Sequence, residues 1–237
     1  MKLTIAIALG LLLPVFAFGQ TEEETDVPQN VYINVPGRSM IRLEASSGLE
    51  VPKSRLEGTP YLFEDWKTGR LVVEGNRVVK NFTFNLNVYR NRLDFKHEGD
   101  LMSITEPERM VRLEYGDRIF HYRSYKERKK TKDGYMELLA DGPVVLYKRF
   151  ECKLLEPSYN KALAVGNRNY RLIHHHDYYL GQAGEPLLQI KTKKRSVLKA
   201  LPNKKDKVRK YLKTNGLNLK DEYDLTRLVR YYNTLGE

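Results

Sequence analysis

Between residues 60 and 190 apolar and polar positions alternate in short runs, the period of strands with one buried face. Residues 82–89 are the clearest case. Phe82, Phe84, Leu86 and Val88 predict a core face, with Thr83, Asn85 and Asn87 turned to water or a cavity. Leu93 and Phe95 repeat the pattern. Residues 118–125 place Ile119 and His121 on one face and Phe120 and Tyr122 on the other. A long β-rich run covers 144–155, and residues 168–180 and 187–191 predict a final pair around Gly181-Gln182-Ala183-Gly184. Turn signals separate the runs at Gly75-Asn76, Arg90-Asn91, Glu98-Gly99-Asp100, Gly116-Asp117, Asp133-Gly134 and Asp141-Gly142, a spacing that predicts antiparallel hairpins.

Beyond residue 191 the period changes. Residues 193–201 predict a short helix stopped by Pro202. Asn203 is placed to cap a second helix closed by Gly216, and Asn218 to cap a third. In the third, Leu225, Leu228, Val229, Tyr232 and Leu235 form one apolar stripe, while the second has only Val208, Tyr211 and Leu212. The expected fold class is α+β: a curled antiparallel β-meander (open sheet or partial barrel) over 58–191, with a C-terminal helical element over 192–237 packed on it. The stripe is expected to meet Phe84, Leu86, Val88 and Phe95. A highly charged, helical C-terminus disfavours an outer-membrane barrel.

The N-terminus reads as an address. Lys2, an apolar run to Leu13, Pro14 and the small residues of Ala17-Phe18-Gly19 predict a signal peptide over 1–19, cleaved between Gly19 and Gln20. The run is too short to span a bilayer, and no later stretch of the mature chain is apolar for long enough. The expected location is therefore secreted or periplasmic. Residues 20–57 read as an extended N-terminal segment, with an acidic leader at 20–30 and short strands at 31–35 and 41–43. Cys152 is the sole cysteine, which excludes an intrachain disulfide and leaves stability to an ordinary core.

Charge changes this picture most. The formal net charge is +11, and without Lys2 it is +10. Residues 191–213 hold 11 basic residues against Asp206 alone, so this stretch carries the whole excess. Lys193, Lys194, Arg195, Lys204, Lys205, Lys207, Arg209 and Lys210 are the candidate binding residues. They would meet an acidic protein, lipopolysaccharide or an acidic glycan, with strong salt dependence. The plainer reading is a solvated helical pair. A second run, Lys126, Arg128, Lys129, Lys130 and Lys132, adjoins Tyr122 and Tyr125, an interleaving that can bind nucleic acid, but secretion argues against a genomic target.

Catalytic motifs are scarce. His174-His175-His176-Asp177 places His174 and His176 on one strand face, where His121 would complete a weak candidate metal set; the ordinary reading is a polar strand end. The chain lacks G-x-S-x-G, H-E-x-x-H, a phosphate-binding glycine loop and C-x-x-C. Asp94, Glu106, Glu108, Glu114 and Glu137 leave a carboxylate pair open, with no spacing that selects one. Cys152 reads as a buried, inert thiol, and Asn81-Phe82-Thr83 as a chance match to a glycosylation acceptor. No cofactor is expected.

Gly58-Thr59-Pro60-Tyr61-Leu62 ahead of the hairpins, Val197-Leu198-Lys199-Ala200-Leu201-Pro202 with Lys204-Lys205, and the closing Leu228-Val229-Arg230-Tyr231-Tyr232-Asn233 together resemble a family of uncharacterised secreted proteins of Bacteroidota-type Gram-negative bacteria. The resemblance covers roughly residues 58–235, implies a secreted protein built as one unit, and transfers no site residue. The expected function is a non-enzymatic envelope protein, a binding or scaffolding module that docks an acidic partner. The alternatives are a carrier holding an apolar or lipid ligand in the curled sheet, and a metal-dependent or carboxylate hydrolase.

Overall fold

The structure is a computed structural model that describes residues 24–25, 53–97, 100–104 and 106–236. The signal-peptide expectation, the short strands at 31–35 and 41–43, and the Glu98-Gly99 turn lie outside the described residues. Two short strands, β1 (Glu24–Thr25) and β2 (Leu56–Glu57), precede ten others. These are β3 (Lys67–Val73), β4 (Arg77–Asn87), β5 (Arg92–His97), β6 (Asp100–Ser103), β7 (Met110–Tyr115), β8 (Arg118–Glu127), β9 (Lys130–Ala140), β10 (Val144–Leu155), β11 (Tyr170–Gln182) and β12 (Leu187–Ile190). Helices α1 (Lys194–Ala200), α2 (Lys205–Thr214) and α3 (Glu222–Thr234) follow. The fold is α+β.

The strands lie in one curled sheet in the order β12-β11-β10-β9-β8-β7-β3-β4-β5-β6. Neighbours on this path are antiparallel. Its shape is set by β8, which divides its outer edge between two partners. Arg118, Ile119 and Phe120 pair with β7, whereas Tyr125 and Lys126 pair in parallel with Leu187 and Leu188 of β12. Strands β8 to β12 thus come round on themselves, while β7, β3, β4, β5 and β6 form an open wing. Further parallel pairings brace the sheet. Leu56 and Glu57 pair with Tyr170 and Arg171, and Glu24 and Thr25, expected within an unpaired leader, lie against Val78 and Val79.

Alternation along β10 separates two cores. Val144 and Leu146 face the helices, and Val145 and Tyr147 face the inside of the curl, where Tyr125, Met136, Tyr179 and Leu187 fill the space. The wing has its own aromatic core of Phe63, Phe82, Phe84, Phe95 and Phe120 with Leu71, Leu93 and Leu113.

The α3 stripe is buried as expected, but on a different surface. Leu225, Leu228, Val229 and Tyr232 pack with Ala140, Val144, Leu146, Tyr178, Leu180 and Ile190, and with Val197, Leu201, Val208 and Leu212 of the other helices. Phe84, Leu86 and Phe95 belong to the wing core instead. Short connections explain this: the helices follow β12 directly and fold back on the strands beside it.

Two expected caps also differ. The residue before α2 is Lys204, in a left-handed conformation (φ 54°) with no side-chain cap, and Asn203 instead accepts a hydrogen bond from the Tyr232 hydroxyl at 2.6 Å. Helix α3 is capped by Asp221, whose carboxylate accepts from the Asp224 amide at 3.0 Å. Asn218 sits one turn earlier and closes a turn onto the Lys220 amide.

Asp133-Gly134 is not a turn. Both residues lie inside β9, and the chain reverses at Arg128, whose φ is 55°. Gly134 serves space rather than reversal. A Cβ there would stand 2.9 Å from Asn91 Oδ1 and 3.2 Å from Arg149 Nε. Asn81 adopts φ 52° where β4 carries one residue more than β3 between Val79 and Phe82, a bulge that accounts for an asparagine in mid-strand.

Candidate functional site: a basic groove between two helices

Helix α1 buries Val197 and Leu198, and α2 buries Val208 and Leu212. That anchoring fixes which side chains are left to face solvent. Arg195 and Lys199 are one turn apart on α1, as are Lys205 and Arg209 on α2, so each pair shares a helix face. Together with Lys194 they line a groove of about 500 Å³ whose one apolar lining residue is Leu198. The charge is scarcely compensated. Arg209 meets Asp206 at 2.7 Å, but that carboxylate is 93 % exposed, so water screens the pair strongly.

Of the eight basic candidates read from the sequence, Lys194, Arg195, Lys205 and Arg209 line this groove. Lys193, Lys207 and Lys210 are exposed elsewhere on the same element. Lys204 lines a separate cavity of about 370 Å³ with Asn203, Tyr232 and Asn233. Lys199 was missed, although its spacing from Arg195 carries the signal. Leu198, an apolar residue in a basic run, is core at 6 % exposure and forms the floor of the groove.

The histidines go separate ways. His174 and His176 do share a face, opposite Cys152 and Phe150 of β10. His174 Nε2 lies 2.7 Å from the Thr59 carbonyl, which only accepts, so the ring is protonated at that nitrogen and holds the segment beside β2. The His176 ring packs edge-on against Tyr178 at 5.4 Å, and burial lowers its pKa. His121 lies on the other side of the sheet, its Nδ1 2.6 Å from the Tyr147 hydroxyl. Burial, reinforced by Arg123, pushes its pKa down to about 4. The three do not converge, and no cluster of three His, Cys, Asp or Glu suited to a metal occurs among the described residues. His175 points the other way from its neighbours and donates from Nε2 to Glu151 at 2.7 Å, while Arg149 pairs with the same carboxylate. Burial, with Lys153 and Arg149 nearby, lowers its pKa against the opposing pull of Asp177.

Four of the five candidate carboxylates are engaged in structure. Asp94, fully buried, accepts from Arg92 at 2.5 Å and 3.1 Å, from Ser103 at 2.6 Å and from Tyr61 at 3.1 Å. Glu137 accepts a fork of two bonds from Arg118 at 2.6 and 2.9 Å, and that guanidinium lies near the faces of Phe63, Phe120 and Phe150. Glu114 bonds Arg112 at 2.5 Å, and Glu106 bonds Arg109 at 3.1 Å. Cys152 is buried, and burial pushes its thiol up to about 11, far from the thiolate form. No helix among the described residues is long and apolar enough to cross a membrane. No family model, curated protein or solved structure matches the chain.

Proposed function

We propose that this is a non-enzymatic envelope module that docks an acidic partner in the groove between α1 and α2. The observation that supports this most strongly is the groove itself. Five cationic side chains from two helices face one concavity around an apolar contact, within the stretch that carries the whole net charge of the mature chain. A partner with closely spaced phosphates, sulfates or carboxylates suits it by charge. The engagement of Asp94, Glu137, His121, His174 and His175 in structural bonds supports a binding role over catalysis. Filling of the curl by Tyr125, Met136, Tyr147 and Tyr179 weighs against a carrier with its ligand inside the sheet.

The test uses long-chain polyphosphate as a soluble polyanion across a salt series. Four to five engaged cations correspond to a slope of about −3 to −4 in log affinity against log salt. Changing Lys194, Arg195, Lys199, Lys205 and Arg209 to Gln should abolish most of that slope. Equal binding by both proteins at every salt concentration would refute the groove as the docking surface.

A further inference from the structure

At the far end of the β10–β11 hairpin, some 35 Å from Val144 by strand rise, the chain presents a second surface unlike the rest of the molecule. Leu163 is 69 % exposed and Val165 56 %, with Ala162 and Ala164 beside them. Leu155 and Ile173 are exposed on the strands leading to this tip. The tip is built to hold them out. Ser158 and Asn160 pair back to Asn167 and Val165, and Asn160 Oδ1 accepts from the amides of Ala162 and Leu163 at 3.0 and 3.2 Å. Gly166 takes φ 100°, and a Cβ there would lie 2.3 Å from the Ser158 carbonyl oxygen.

Cations surround this apolar turn. Residues 157–172 include Lys161, Arg168 and Arg171; the nearby carboxylates are Glu156 and Glu57, and Glu57 accepts from the Asn167 and Asn169 side chains at 3.5 and 2.7 Å. Arg55, Tyr159, Lys161 and Arg168 line a concavity of about 710 Å³ beside it. Arg168 lies over the Tyr159 ring at 4.1 Å and donates to its hydroxyl at 2.6 Å, and Arg55 donates to the Arg168 carbonyl at 2.7 Å. Among the described residues, none of Arg55, Lys161 and Arg168 forms an ion pair with a carboxylate.

We propose that this tip docks on the surface of a bilayer containing anionic phospholipid. Leu163 and Val165 enter the interface between headgroups and acyl chains, and Lys161, Arg168 and Arg55 meet the phosphates. Exposed apolar residues beside a tyrosine and three cations that form no ion pair match that surface in polarity and, with Arg55, Lys161 and Arg168 against Glu57 and Glu156, in the sign of the local charge. An acidic protein would satisfy the cations but not the two apolar side chains held furthest into water. The proposal stands on residues separate from the helical groove, so each can fail alone.

The experiment is co-sedimentation of the mature protein with phosphatidylcholine vesicles, with and without phosphatidylglycerol. Wild type should sediment with the anionic vesicles and weaken with salt. The double variant Leu163→Ser/Val165→Ser, at sites too exposed to disturb the core, should lose about tenfold or more in partitioning. Because the groove cations also attract anionic lipid, the same Ser substitutions made in the five-residue Gln variant of the groove should cause a like loss. Leu163→Trp adds a reporter: bromine on the acyl chains should quench the introduced indole's emission beyond any effect on Trp66. Failure of wild type to bind anionic vesicles would overturn the proposal, as would undiminished binding by the Ser variant. So would equal partitioning with and without the Ser substitutions in the groove-variant background, or an introduced indole that bromine leaves unquenched.

Discussion

His121 makes stability depend on pH in a way that one substitution can isolate. Its Nδ1 shares a hydrogen bond with the Tyr147 hydroxyl, a group that burial keeps protonated by pushing its pKa to about 12, so the neutral ring with Nδ1 unprotonated accepts that bond. Protonating the ring would remove that acceptor and place a charge beside Arg123 within a mostly buried site. The folded pKa of about 4 against 6.5 in the unfolded chain means that the unfolded chain binds the proton first as pH falls. The stabilising effect is therefore fully present above pH 6.5 and is lost progressively as pH falls toward 4. Integrated over those two values, the loss is about 1.4 kcal/mol near pH 5.5 and about 2.5 kcal/mol near pH 4.5. His121→Gln keeps an acceptor for Tyr147 but cannot titrate. Urea unfolding of both proteins across this range should show wild type losing stability relative to the variant by about those amounts. His175 and His176 act in the same direction but are common to both proteins, so the difference cancels them. Parallel stability curves would refute the reasoning, as would a ring titration by NMR centred near 6.5.

Asp94→Ala removes the carboxylate that Arg92, Ser103 and Tyr61 share and strands a largely buried guanidinium, so urea unfolding should show a loss of roughly 3–5 kcal/mol. Leu228→Ala opens a cavity where α3 meets the sheet, and the same measurement should show about 2–5 kcal/mol, with the helices' circular dichroism signal lost at lower urea. The Cys152 thiol, shifted from 9.0 to about 11, should react with a disulfide reagent at neutral pH about a hundredfold more slowly than a free cysteine; reaction at the free rate would show that the site opens readily.

Local pattern made the strands and helices legible, because a period of two or 3.6 is written within each segment. Phe82, Phe84 and Leu86 read correctly for that reason, and so did the α3 stripe, whereas Asn85 and Asn87, expected to face water or a cavity, are buried, Asn85 bonding the Phe63 backbone and Asn87 the Asp94 carboxylate. The closure at β8 was not legible. It depends on Tyr125 meeting Leu187 across 62 residues of sequence, a register set by bulges and twist rather than by either strand alone. Asp133-Gly134 misled because a glycine that makes room for Arg149 and one that reverses the chain look alike in sequence. The groove was half legible. Charge density marked the 23 residues within which the groove lies, but the lining by Lys199 rather than Lys207 and Lys210 depends on how α1 and α2 rotate their apolar sides into the sheet.

The distribution of ion pairs gives the charge map its meaning. Through the sheet, basic and acidic side chains are matched locally: Arg92 with Asp94, Arg112 with Glu114, Arg118 with Glu137, Arg149 with Glu151 and Lys148 with Glu222. These pairs are half-buried or better on at least one side, where an unpaired charge would be costly, so folding itself demands their neutrality. No such demand acts at the two ends of the β10–β11 hairpin, where the cations of the helical groove and of the tip are left open to water. A surface charge that the fold does not require is free to be shaped by a partner. The same geometry predicts a clean division among substitutions: those in the sheet pairs act on stability, and those at the hairpin's two ends act on binding with the fold intact.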